Sequence, residues 1–149
     1  LAIASPISAE DVATTVKCAV GAGMQVCGRN GKHSFEGLGC TNGVVIDVTL
    51  MNRITTLEPS DGKTVTAQLG AGLMLGQVAH KCIRRSMWLP AGVCPTVGVT
   101  GLVLVGGQGM LSRMFGLLAD RLLGLEMVTA EGKVVEASAE KHKELLWLP

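Results

Sequence analysis

Gly28-Arg29-Asn30-Gly31-Lys32-His33-Ser34 is the stretch from which the fold of this 149-residue chain can be inferred. It places an imidazole in a glycine-bearing turn, and a second segment, residues 90–101 (PAGVCPTVGVTG), places the thiol of Cys94 in another. Glycine lets the backbone take positive φ and approach a ligand closely, while imidazole and thiolate are nucleophiles that bond to electrophilic groups. Together the two segments indicate a cofactor held by covalent bonds to His33 and Cys94.

The first segment also has the character of an anion site. The backbone amides of Asn30 to Ser34, with the charges of Arg29 and Lys32, form a candidate nest for a pyrophosphate. Taken alone, each nucleophile could have a purely structural role instead. His33 would suit a solvated turn, and Cys94 would suit a small buried apolar site. Two such loops in one chain indicate a large cofactor that contains phosphate.

Composition limits the class of protein. An apolar content of 48% is enough to close the core of one soluble globular domain. Thirteen basic and twelve acidic residues without a basic cluster, and only 3% aromatic residues, argue against nucleic-acid binding. The five cysteines form no C-x-x-C pair, and the apolar runs are too short to span a bilayer. We therefore predict no metal site, no membrane span and no nucleic-acid partner.

Hydrophobic periodicity predicts a mixture of helices and short strands. Ser8 caps a first helix that Gly21-Ala22-Gly23 ends. The other predicted helices and strands are a strand at Met24–Cys27, a strand at Val44–Val48, a hairpin of Ile54–Leu57 with Thr64–Leu69, a helix at Leu73–Arg85, a hairpin of Leu122–Thr129 with Val134–Ala137, and a helix at Lys141–Trp147. The order lacks a steady βαβ alternation, so the fold class is α+β.

Two other glycine motifs have competing interpretations. The turn of residues 70–76 follows a strand and opens a helix, as in a dinucleotide-binding turn, but its glycine spacing departs by one residue and no acidic residue closes a following strand. We interpret it as a helix-entry turn, with a nicotinamide-dependent enzyme as the alternative. Gly62-Lys63-Thr64 resembles the end of a P-loop and is interpreted as a hairpin turn. His80 and His142 are interpreted as surface histidines on predicted helices.

Taken together, these segments resemble the flavin-binding domain of the berberine bridge enzyme-like oxidases, within the vanillyl-alcohol oxidase and p-cresol methylhydroxylase superfamily. The resemblance covers nearly all of the chain, in residues 6–12, 16–19, 29–38, 44–48, 70–78, 90–101, 106–113, 116–120 and 145–147. It implies an α+β domain of the FAD-binding PCMH type (vanillyl-alcohol oxidase/MurB-like) over residues 1–149, with small mixed sheets packed with helices.

The resemblance also implies the site. His33 is expected to bond to the 8α carbon of FAD, and Cys94 to C6 of its isoalloxazine ring, so that two tethers fix the flavin and raise its potential. The implied activity is flavin-dependent oxidation of an alcohol, a sugar or a related compound, with no catalytic residue identifiable in this segment. The implied cofactor-binding residues are Arg29, Asn30, Gly31, Lys32, His33, Ser34, Gly92, Val93, Cys94, Val97, Gly98, Thr100, Gly101, Gly106, Gly107, Gly109 and Val134.

Several residues depart from the family pattern. Asn30 and Lys32 replace the serine and the second glycine of the usual Arg-Ser-Gly-Gly-His-Ser, so Lys32 is expected to be strained if its backbone takes positive φ. Leu102 and Val105 stand in segments where the family has Gly-Gly-His and three glycines. Bulkier side chains near the cofactor predict weaker FAD binding.

The segment resembles only the N-terminal part of such an oxidase. We expect a chain shortened at its C-terminal end, with the domain that meets the small-molecule substrate missing and the face left open promoting self-association. An alternative function is a noncatalytic remnant that binds FAD weakly or not at all. The resemblance implies a secreted or otherwise extracytoplasmic protein.

Overall fold

The computed structural model describes residues 1–57 and 65–146. Within these ranges the chain forms seven strands and four α-helices, with short 3-10 helices at Val48–Leu50, Ala119–Arg121 and Lys143–Leu146. In chain order they are β1 (Ala2–Ala4), α1 (Ala9–Gly21), β2 (Val26–Arg29), β3 (Val44–Asp47), β4 (Ile54–Leu57), β5 (Thr66–Leu69), α2 (Leu75–Ile83), α3 (Val99–Val103), α4 (Ser112–Phe115), β6 (Gly124–Val128) and β7 (Val134–Ser138).

A three-stranded parallel sheet in the order β1-β3-β2 carries the first glycine segment. β3 lies in the middle and is buried along its length, which fits its uninterrupted apolar run Val44, Val45 and Ile46. α1 connects β1 to β2. It begins at a capping box, because Ser8 Oγ accepts from Asp11 N (3.1 Å) and Asp11 Oδ2 accepts from Ser8 N (3.1 Å). The predicted start of this helix is therefore confirmed.

An apolar cluster lies where α2 meets the second glycine segment. Leu73, Leu75, Val78, Val99 and Leu118 form it. At the start of α2, Gln77 Oε1 accepts a hydrogen bond from Met74 N (2.8 Å). The cluster fixes the helix-entry turn of residues 70–76 beside the loop that carries Cys94.

The two predicted hairpins are present. β4 pairs antiparallel with β5, and β6 with β7, where Gly132 turns the chain at φ 69°. Because β5 lies in an antiparallel hairpin, the turn after it lacks the parallel βαβ setting of a dinucleotide-binding turn. Residues 70–76 are therefore a helix-entry turn, as expected. Gly62-Lys63-Thr64 lies outside the described residues.

Other local predictions need correction. β1 was not predicted. β2 begins at Val26 rather than Met24, because Met24 N still donates to Ala19 O (2.9 Å) at the end of α1. α3 begins within the second glycine segment, residues 90–101, and neither α3 nor α4 was predicted. The predicted C-terminal helix is a 3-10 helix at Lys143–Leu146, and His142 precedes it at φ 50°.

Candidate functional site

The first loop, residues 28–34, leaves the carboxyl end of β2 and is held by Asn30. Its Nδ2 donates to the carbonyl oxygens of Ala71 (2.8 Å) and Leu73 (3.0 Å). These carbonyls belong to the helix-entry turn before α2. The side chain that replaces the family's serine therefore fastens the loop to a buried part of the core.

The second loop, residues 90–101, is fastened to the same turn. Leu75 N donates to Val97 O and Val99 N donates to Leu73 O, each at 2.9 Å. Thr100 Oγ1 donates to Ala71 O at 2.6 Å. One short segment thus positions both loops.

Two glycines let the loops touch each other directly. A methyl group on Gly31 would overlap Gly98 N and lie 2.7 Å from Thr96 O, while one on Gly98 would lie 2.6 Å from Asn30 Nδ2. The contact is backbone against backbone, so a side chain at Gly31 would force the loops apart. Their glycine content is explained by this close approach.

The two nucleophiles meet at one hydroxyl. His33 Nε2 lies 2.9 Å from Thr96 Oγ1, and Cys94 Sγ lies 3.5 Å from the same oxygen. Both side chains are exposed. Hydrogen bonds from the hydroxyl and then the amide of Thr96 lower the pKa of the Cys94 thiol, so thiolate forms more readily there.

The charges of the first loop converge on Asp47, at the end of β3. Arg29 Nη2 lies 3.0 Å and Lys32 Nζ 3.6 Å from Asp47 Oδ2. Burial alone would raise the pKa of Asp47, but hydrogen bonds from Thr49 and Arg29 and the charge of Lys32 lower that pKa overall. A buried carboxylate therefore anchors the two cations at the loop.

Lys32 has the backbone expected of the glycine that it replaces. Its φ is 64°, in the left-handed region that disfavours side chains, while its side chain is 59% exposed. The strain follows from the loop geometry, and the residue adds a positive charge to the first loop.

The glycine-rich run after α3 packs closely as well. Gly106 and Gly107 have φ of 93° and 74°, and a methyl group on Gly109 would overlap the carbonyl of Ala91. Leu102 packs against the apolar cluster and lies 3.1 Å from the position of a methyl group on Gly92, whereas Val105 is 80% exposed. Of the two bulky departures, only Val105 stands free of the core.

The other predicted residues are distributed unevenly. Val97 packs against the apolar cluster, Val93 and Gly101 are exposed, and Ser34 Oγ accepts from Leu38 N at 3.1 Å. Val134 lies apart, in β7 opposite Val128, on a hairpin that contacts α1. It is the one predicted residue whose described contacts belong to a different part of the molecule.

Two contributors were missed from the sequence, Thr96 and Asp47. Thr96 lies two residues after Cys94, a spacing at which hydroxyl side chains bond locally, and this signal could have identified it. Asp47 is the acidic residue that ends an apolar strand. Its main partner, Arg29, stands opposite it in the parallel pairing of β2 with β3, a register that no local signal gives.

The fold, with its two glycine-bearing loops, defines a cofactor-binding domain of the flavoprotein oxidoreductase class. The chain belongs to the family described as FAD binding domain, which matches residues 1–138. It is 35% identical to (R)-6-hydroxynicotine oxidase of Paenarthrobacter nicotinovorans, over 97% of this chain and 31% of that protein. It is also 35% identical to Berberine bridge enzyme-like 18 of Arabidopsis thaliana, over 97% of this chain and 27% of that protein.

Solved structures of related oxidases have the same fold as this chain. The 6-hydroxy-D-nicotine oxidase of Arthrobacter nicotinovorans superposes with a TM-score of 0.88 at 34% identity, covering 97% of this chain and 31% of that one. Glucooligosaccharide oxidase from Acremonium strictum, described with a 6-S-cysteinyl, 8α-N1-histidyl FAD, gives 0.86 at 32% identity, covering 97% and 30%. The predicted α+β, PCMH-type fold is confirmed, and the chain spans less than a third of these relatives' length.

FAD is the cofactor of this family, and the residues present fit it. His33 and Cys94 are exposed nucleophiles, and Arg29 and Lys32 carry positive charge of the kind that suits a diphosphate. Asn30 Oδ1 is buried and without a hydrogen-bond partner among the described residues. Within the described ranges, every helix is too short or too polar to cross a bilayer.

Proposed function

We propose that this chain is the FAD-binding part of a flavin-dependent oxidoreductase and holds FAD by two covalent bonds, one from His33 and one from Cys94. The observation that carries the proposal is the placement of both nucleophiles within reach of one oxygen, Thr96 Oγ1. Two side chains from different loops, set this close together and exposed, can bond to neighbouring positions of one planar ring.

Each part of the site has a role in this proposal. Arg29, Lys32 and the amides of the first loop bind the pyrophosphate, and the second loop carries Cys94 to the ring. FAD, when bound, supplies the acceptor for a hydride taken from a small molecule such as an alcohol or a sugar. The chain's own contribution is to bind and orient this group, and the region beyond it in the longer relatives is proposed to bind the substrate.

A second candidate is a noncatalytic domain that binds FAD weakly. The observation that favours it is Val105, whose exposed side chain lies beside Gly106 and Gly107 in the run where the family has three glycines. A side chain there would hold the cofactor away from the backbone.

Denaturation in acid separates the two candidates. We expect purified protein to stay yellow, with a mass increase of one FAD on the chain. His33→Ala and Cys94→Ala should each leave one bond, and the double variant should release its flavin. His80→Ala and Cys18→Ala, which change an exposed histidine and an exposed cysteine elsewhere, are the matched controls and should keep both bonds.

The results that contradict the proposal are distinct. Flavin that stays attached in the double variant would show that the two sites are assigned wrongly. Protein that remains colourless after reconstitution with FAD would favour the weak-binding domain.

A further inference from the structure

One hydroxyl group serves two nucleophiles in this site. Thr96 Oγ1 contacts His33 Nε2 at 2.9 Å and Cys94 Sγ at 3.5 Å. A hydroxyl carries one proton, so it can donate to only one of these atoms and must accept from the other. The direction of the two hydrogen bonds therefore decides the protonation of both side chains.

The two directions have opposite consequences. If Thr96 donates to His33 Nε2, the neutral ring carries its proton on Nδ1, and Nδ1 has no free lone pair for attack. If Thr96 donates to sulfur, it accepts from the Nε2–H of His33, and Nδ1 is left unprotonated. In this second arrangement the sulfur is a thiolate stabilised by a donor, and its proton has gone to solvent.

The chemistry of Cys94 favours the second direction. Cys94 attacks as the thiolate, which has no proton to donate, so in the reactive form of the site the Thr96 hydroxyl 3.5 Å away can only donate to the sulfur. The lowered pKa of Cys94, to which this hydroxyl is the largest contributor, agrees with that direction. The Thr96 amide donates to the same sulfur and helps to hold it. Thr96 O–H is then committed to sulfur, and its lone pairs face His33 Nε2.

We propose that Thr96 is a positioning residue that makes both attachment sites nucleophilic at once, by donating to Cys94 Sγ and accepting from His33 Nε2–H so that Nδ1 is free to bond. This inference rests on the proposed function for its purpose, but the hydrogen-bond direction is a property of the protein alone. It assigns a function to the side chain that joins the two loops.

Other groups near Cys94 must be separated from this effect. Lys32 lies beside His33, and α2, whose Gly76 packs against Pro95, carries His80, Lys81 and Arg84. Positive charge on any of these would also favour thiolate. A change at Thr96 that keeps its shape leaves all of them in place.

The test compares Thr96→Val, which keeps the shape and removes the hydroxyl, with Thr96→Ser, which keeps the hydroxyl. Alkylation of Cys94 by iodoacetamide is followed from pH 6 to 10 in FAD-free protein by peptide mass spectrometry, with exposed Cys18 as internal reference. We expect Thr96→Val to slow alkylation of Cys94 about tenfold near neutral pH and to move its profile upward, with Cys18 unchanged. Thr96→Ser should restore the wild-type profile.

A second measurement tests the histidine. Long-range ¹H–¹⁵N correlation spectra identify the tautomer of His33, with His33→Ala assigning its signals. We expect the Nε2–H tautomer in wild type and in Thr96→Ser, and a mixture of tautomers in Thr96→Val. A wild-type ring protonated mainly on Nδ1, an unchanged alkylation profile in Thr96→Val, or no rescue by Thr96→Ser would overturn the inference.

Failure of the proposed function gives a different result. If wild-type protein takes up no covalent FAD but shows the expected alkylation profile and tautomer, the covalent proposal is wrong and the assignment of Thr96 stands. If FAD attaches, Thr96→Val should lower the yield of both bonds together, which distinguishes it from the single losses of His33→Ala and Cys94→Ala.

Discussion

Lys32 shows how one residue carries both a structural cost and a functional group. Its backbone has the positive φ of a glycine, while its ammonium lies 3.6 Å from the carboxylate of Asp47. With more than half of that side chain exposed, its ion pair adds little to stability. We infer that the residue is kept for its charge toward a diphosphate rather than for the fold.

Two substitutions separate the backbone cost from the charge. Lys32→Gly and Lys32→Ala both remove the ammonium, but only glycine relieves the left-handed strain. We expect Lys32→Gly to be more stable than Lys32→Ala by about 0.5–1 kcal/mol, because the relieved strain exceeds the entropy that glycine adds to the unfolded chain. Urea unfolding measures the difference, and an alanine variant as stable as the glycine variant would contradict it.

At the scale of elements, the site depends on the contact between the two loops. Both are fastened to residues 71–75, and they touch through Gly31 and Gly98. No helix or strand holds the nucleophiles directly. The distance between the two nucleophiles is therefore set by this backbone contact between the loops.

Gly31→Ala tests this contact. The added methyl group would meet backbone atoms of Gly98 and Thr96, which cannot move without shifting the second loop. We expect a loss of about 1–3 kcal/mol in the free energy of unfolding and a reduced yield of covalent flavin. Gly28→Ala is the matched control, since a methyl group there meets nothing within 4 Å. Equal effects of the two variants on stability would show that the loops do not depend on close approach.

The elements also show what can be predicted from this sequence. The helix at Ser8, the buried strand at Val44 and both hairpins follow from caps, apolar runs and turn residues, which are local signals. β1 could not be predicted, because the short run Ala2–Ala4 becomes a strand only by pairing with Val44–Ile46. Its placement is decided by a partner far along the chain.

The same distinction applies to the site. His33 and Cys94 were predicted because each lies in a glycine-bearing turn that can be read locally and in a segment that resembles the family. The contact of both with Thr96 joins residues on different loops, so the spacing of residues alone does not fix it. Val134 was assigned to the site by the resemblance alone. It lies on the β6–β7 hairpin, opposite Val128, and has no described contact with the two loops.

For the whole molecule, the chain corresponds to a fraction of its relatives. It covers about 26–31% of the length of the curated relatives that it matches first. Large apolar side chains lie exposed, among them Phe35, Val105, Met110 and Met114. Self-association through such side chains stays a prediction, and these positions are where a second surface would gain most by packing.

The stability of the whole fold should depend on pH through Asp47, which links the parallel sheet to the first loop. The pKa of Asp47 is lowered in the folded state, whereas in the unfolded chain it is about 3.9. The carboxylate therefore contributes stability that is present above about pH 4 and is lost as the pH falls through the folded-state pKa.

Asp47→Asn should accordingly destabilise the protein by about 3 kcal/mol near pH 7, because it leaves the largely buried Arg29 without its charged partner. The difference from wild type should shrink as the pH falls from about 4 through the lowered folded-state pKa of Asp47, below which the wild-type carboxylate is also neutral. Urea unfolding between pH 2.5 and 7 measures both free energies. Glu136→Gln, which alters an exposed pair with Lys141, is the control and should cost at most about 1 kcal/mol at pH 7. A destabilisation by Asp47→Asn that stays constant down to pH 2.5 would mean that the carboxylate contributes shape and hydrogen bonds rather than charge.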